Sequence, residues 1–163
     1  MRIRLLMFGA LIAVVGCTAS TRDGEDNMES SVAYLNPEGL HRNPVYSQVA
    51  VTSGRVRTIY VGGQNSVDAK GEVVGKNDIG AQAAQVAKNL QAALAGAGAR
   101  AEHVVKWNVY VVQGQPPAPA MEAFHKTLGP LPNPPTITVL YVAGLANPDY
   151  LLEVDAVAAV PEK

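Results

Sequence analysis

Glu153 and Asp155 stand two residues apart in the stretch LLEVDA, Leu151 to Ala156, among apolar side chains. Strand side chains alternate, so Leu151, Glu153, Asp155 and Val157 share one face and Leu152, Val154 and Ala156 the other. Ionised carboxylates avoid a buried sheet face unless something pairs with them. That face is therefore either wet or a site. Glu153 is the best candidate for chemistry on that face. The other reading is half of an ion pair with Lys106, or with an arginine, across a subunit boundary.

Few other residues offer chemistry. Tyr46 lies at the start of a strand, two residues after Pro44. Gly62 and Gly63 lack a Cβ and let backbone approach a neighbour closely. His41, His103 and His125 have no metal-like spacing and no cysteine partners, so no metal is expected. Ser53 lacks the Gly-x-Ser-x-Gly context of a hydrolase nucleophile. No phosphate loop follows the glycine pairs, since Gly-Lys-Ser/Thr is missing. No cofactor is implied.

The elements that must position these residues follow from periodicity. Strands are expected over about Tyr46–Thr52 and Arg57–Gly62, joined as a hairpin at Ser53-Gly54. Ile79, Ala83, Val86, Leu90, Leu94 and Ala97 recur at spacings of three and four, as the buried stripe of a helix requires. Asn77 or Asp78 caps its start, and Gly96 or Gly98 its end. Val104–Val112 is a strand with Val105, Trp107, Val109 and Val111 on one face. A Pro-rich link leads to a second helix, about Ala120–Leu128, stopped by Pro130 to Pro135. Thr136–Val142 and Tyr150–Val160 close the chain as strands. The predicted fold is α+β, in the order ββαβαββ, with two helices on one sheet face. The uncovered face carries apolar side chains such as Leu151 and Val157, so self-association is expected.

Of the 163 residues, 48% are apolar and 17% charged, which suits one globular domain. The net charge of −1 and the scattered Lys and Arg residues argue against a nucleic-acid partner. The start differs from the rest. Arg2 and Arg4 precede an apolar run, Leu5 to Val15, that is shorter than the roughly 20 residues a membrane span needs. This pattern describes a secretory signal. Cys17, the single cysteine, follows directly on Val14-Val15-Gly16, which resembles a bacterial lipobox. A plain signal peptide with a chance cysteine is the alternative. The expected organisation is a lipoprotein signal over 1–16, a lipidated Cys17 with a flexible tether over 17–33, and a folded domain over 34–163. Thr18 at the second mature position favours the outer membrane, by resemblance to enteric lipoproteins.

Five blocks in order, PVYSQ (Pro44–Gln48), TIYVGGQ (Thr58–Gln64), the helix from Asp78 to Ala99, VVKWNVYV (Val104–Val111) and LLEVDAVA (Leu151–Ala158), resemble the RidA/YjgF (reactive intermediate deaminase) family. The resemblance covers roughly Tyr34 to Val160. It implies a chorismate-mutase-like sheet, a homotrimer, and small-molecule sites in the clefts between subunits. It implies imine or enamine hydrolysis with Glu153 as the catalytic residue, and Tyr46, Gly62, Gly63, Ile137 and Thr138 as substrate-binding positions. One departure stands out. Where deaminating members carry a carboxylate-binding arginine, this sequence has Ile137. Loss of a charge-assisted hydrogen bond of about 1.5–3 kcal/mol weakens carboxylate binding by about tenfold or more. The resemblance thus implies either a non-standard specificity, a non-catalytic binding or scaffold trimer, or a deaminase whose arginine comes from elsewhere, with Arg42 and Arg57 as candidates.

Overall fold

The computed structural model describes residues 28–163. Cys17, the signal segment and most of the tether lie outside these residues.

Six strands and two helices follow one another as β1 (Ser31–Leu35), β2 (Val49–Ser53), β3 (Val56–Gln64), α1 (Ile79–Gly96), β4 (Val104–Val112), α2 (Pro117–Leu128), β5 (Thr136–Val142) and β6 (Leu152–Pro161). Four strands form the main sheet in the order β3-β6-β4-β5. β6 runs antiparallel to both of its neighbours, and β4 and β5 are parallel. A parallel pair needs a crossover, which α2 supplies. The architecture is α+β, with the helices on one face of a mixed sheet, as the sequence pattern predicts.

Two details differ from that pattern. β1 was not expected as a strand: it occupies Ser31–Leu35, across the predicted boundary between tether and domain. It pairs antiparallel with β2, Leu35 opposite Val49 and Ser31 opposite Ser53. The predicted β2–β3 hairpin is therefore replaced by two strands in different sheets. Gly54, at φ 68°, makes the break between them, where a Cβ would lie 2.4 Å from the Met28 carbonyl oxygen. The order is βββαβαββ.

α1 begins at Asp78, whose carboxylate accepts from the Ala81 N–H at 3.0 Å. Its buried face is Ile79, Gln82, Ala83, Val86, Ala87, Leu90 and Leu94. This face meets Val61 on β3 and Trp107, Val154, Ala156 and Ala158 on β4 and β6 to make the core. α2 starts three residues earlier than the periodicity suggests, because Pro117 takes the first helical position, where its missing N–H costs nothing. Only Ala120 of α2 is buried. α2 packs chiefly on α1 and leaves a gap above β5. Among the described residues no helix is long and apolar enough to cross a membrane.

Candidate functional site

β6 is the inner strand that carries both carboxylates. Leu152, Val154 and Ala156 are buried toward the helices, whereas Glu153, Asp155 and Val157 are half-buried on the open face. Register places Tyr110 beside Glu153, Asn108 beside Asp155, and Lys106 beside Val157. On this face Asp155 is well occupied. It accepts from Asn108 Nδ2 at 2.7 Å and from the Tyr110 hydroxyl at 2.9 Å. That hydrogen bond, with burial as a lesser cause, raises the Tyr110 pKa. Lys106 Nζ donates to Thr138 Oγ1 at 2.5 Å, so it makes no ion pair with either carboxylate within the chain.

Glu153 is held more lightly. One oxygen accepts from Asn65 Nδ2 at 3.3 Å. The Asn65 backbone is itself held, its carbonyl accepting from Asn89 Nδ2 of α1 at 2.9 Å. Asn89 is oriented in turn by Gln85 at 2.9 Å. Asn65 and Asn89 were not foreseen as site residues. The sequence signal was two amide side chains, Gln85 and Asn89, four apart on one helix flank. β6 is also anchored from its first residues. Gln82, wholly buried, donates to the Asp149 carbonyl at 2.7 Å and accepts from the Leu151 N–H at 2.9 Å. Glu153 follows two residues later.

Gly62 and Gly63 sit where β3 bulges against β6, between Val61 and Gln64. Their roles differ. A Cβ on Gly63 would lie 2.0 Å from Glu153 Oε1, while one on Gly62 meets nothing within 4 Å. Gly63 thus keeps the space in which Glu153 lies. Gly63→Ala is expected to displace the Glu153 carboxylate and to lower activity at least tenfold with the fold kept, whereas Gly62→Ala is expected to be near silent. Paired kinetics and thermal melts check this, and equal effects at both glycines would reject the close approach as important.

The remaining predicted residues lie elsewhere. A cavity of about 760 Å³ fills the gap under α2. Tyr46, Ile137, Val139, Trp107 and Phe124 line it, and Trp107 meets Phe124 edge to face at 5.7 Å. Ile137 packs against the core beside Trp107, its register neighbour. Tyr46 and Ile137 are therefore brought together, as are Glu153 and Gly63. The two pairs are on opposite faces of the sheet, because the cavity is lined by Leu152 and Val154 and not by Glu153. Thr138 is on the open face with Lys106. Neither candidate for a relocated arginine is at the cavity: Arg57 donates to the carbonyls of Ala97 and Gly98 at the end of α1, and Arg42 is exposed and does not line it.

A mixed sheet with two helices on one face, a glutamate on the opposite face of an inner strand and an apolar cavity under the second helix define an α+β protein of RidA-like fold. The chain belongs to the RidA/YjgF family: the family model described as Endoribonuclease L-PSP matches residues 40–160. No curated protein matches the chain. Among solved structures it is similar to YyfB of Yersinia pestis, a protein of unknown function of the conserved Rid family, with 32% identity and a TM-score of 0.69 over 79% of this chain and 98% of that one. It is similar to RidA from an Antarctic Psychrobacter, with 29% identity and a TM-score of 0.56 over 63% of this chain and 80% of that one. TdcF of E. coli, solved with bound serine, has 25% identity and a TM-score of 0.55 over 63% of this chain and 80% of that one.

Proposed function

We propose that this chain is a small-metabolite-binding member of the family that hydrolyses an imine or enamine with a predominantly apolar body, in sites completed between copies of itself. The observation that carries this reading is the separation of the apolar cavity and Glu153 onto opposite faces of one sheet. A site using both takes its cavity wall from one copy and its carboxylate from the next. Exposed apolar side chains support such assembly: Tyr60 is 81% exposed, and Val139, Leu140 and Tyr141 on the edge strand β5 are each about half exposed. A trimer is the assembly proposed by family membership. Glu153 would orient or deprotonate the attacking water, with Tyr46 and backbone groups holding the ligand. Serine bound to TdcF supports a small amino-acid-like ligand for the family site. The net charge of −1 weighs against ribonuclease activity despite the family description.

A panel of imines formed in situ from amino acids tests the reading. Turnover of leucine- or phenylalanine-derived imines is expected to exceed that of an aspartate-derived imine by tenfold or more. Preference for the acidic imine would reject it. A non-catalytic binding trimer is the second reading, favoured by the single long hydrogen bond that holds Glu153.

We also propose that the protein is anchored to the bacterial envelope, in the outer membrane facing the periplasm, through lipid on Cys17, since a short apolar run, Leu5 to Val15, leads through Gly16 to the only cysteine. Cys17→Ser is expected to move the protein from the membrane to the soluble fraction of the host, and persistence in the membrane fraction would reject the anchor.

A further inference from the structure

We propose that the cavity under α2 takes a carboxylate amphiphile, its apolar body against Ile137, Val139, Trp107 and Phe124 and its anionic head at Lys126 and His125. This rests on the reading of the cavity as part of a small-molecule site and names what that site selects.

The volume of about 760 Å³ lies within the range of ligand pockets, roughly 300–1,000 Å³. Its walls are aliphatic, aromatic and proline side chains, so an occupant gains by burying hydrocarbon. Charge is distributed unevenly around it. Lys126 and His125 line the cavity from the last turn of α2, and both are exposed at its rim. No aspartate or glutamate lines it. Among the described residues no carboxylate lies within 4.0 Å of Lys126 Nζ. The helix dipole alone explains a cation at the end of α2. It does not explain a cavity rim with donors and no acid. An alcohol of the same length would accept from these donors without a negative charge and so more weakly, and an amine would be repelled. Ile137, on the sheet wall, extends the apolar surface, and the space between it and Lys126 is hydrocarbon-lined.

Trp107 is the single tryptophan of the chain and lines the cavity, so its emission reports occupancy. The full chain is titrated below micelle-forming concentrations with decanoate, with decan-1-ol and with acetate, and imine turnover is followed in the same samples. Decanoate is expected to give a saturable change in Trp107 emission, and acetate none. In the double variant Lys126→Gln, His125→Gln, decanoate binding is expected to weaken about tenfold or more, from loss of a charge-assisted hydrogen bond, with decan-1-ol binding kept. The proposal is overturned by the absence of a saturable response, as when a partner's segment fills the cavity. It is overturned equally by a decanoate response that the double variant leaves unchanged, or by equal weakening of acid and alcohol. Turnover without a decanoate response rejects the amphiphile and leaves the proposed hydrolysis standing. A decanoate response without turnover does the reverse.

Discussion

Glu153→Gln is expected to abolish imine turnover, lowering kcat by about 10²- to 10⁴-fold, the range that a positioned general base contributes. Glutamine has the same shape and keeps an oxygen to accept from Asn65 Nδ2, the partner observed at 3.3 Å. What it loses is the capacity to take a proton from water. The substitution therefore separates chemistry from packing more cleanly than alanine does. Substrate affinity and thermal stability are expected to change little, because the group is half-buried and makes this one side-chain hydrogen bond. The measurement is kcat and KM on the substrate that the imine panel selects. Turnover unchanged within a factor of two would remove Glu153 from the mechanism. A loss expressed wholly in KM would make it a binding group instead.

The second large effect is on stability. Gln82→Leu keeps the approximate size of a fully buried side chain but strands the Asp149 carbonyl and the Leu151 N–H, which now bond it at 2.7 and 2.9 Å. Leaving a buried polar group unpaired costs about 1–3 kcal/mol. Two such groups lead to an expected loss of about 2–6 kcal/mol, read from urea midpoints at constant slope. Because these bonds fix the chain just before Glu153, kcat is expected to fall as well. Gln82→Glu keeps the acceptor for Leu151 but, when ionised, buries an unpaired charge against the Asp149 carbonyl, so a loss at least as large as in Gln82→Leu is expected at neutral pH. A change below about 0.5 kcal/mol in Gln82→Leu would mean that the loop closes without this amide, in the range usual for surface substitutions.

The sheet was legible where side-chain alternation was strong. Leu152, Val154 and Ala156 are buried and Glu153, Asp155 and Val157 are not, as the period of two requires, but Leu151, expected with Glu153 on the open face, is buried in the core because it precedes the strand and escapes its alternation. α1 was legible from its stripe, and Asp78 caps it as expected. Gln82 is polar and so gives no signal in an apolar stripe, although its place between Ile79 and Val86, three and four residues away, puts it on the buried face. Pairing was harder to read. Ser53-Gly54 looks like a hairpin turn, yet β2 finds its partner in β1, a strand of five residues, Ser-Val-Ala-Tyr-Leu, too short to announce itself beside the polar tether. The site was legible as residue types. Ile137 and Glu153 were expected in a cleft between subunits, and within one chain they lie on opposite faces of the sheet. Whether a side chain on β5 faces up or down depends on its register with Trp107, which no local pattern in Thr136–Val142 specifies.

That the sheet lies between Ile137 and Glu153 has a genetic consequence. If each working centre borrows its base from a neighbour, a subunit without the base and a subunit with an obstructed cavity fail in different halves of the shared centre. Coexpressed, the two defective alleles would assemble some centres from their two sound halves, and a cell carrying both would recover activity that neither supplies alone.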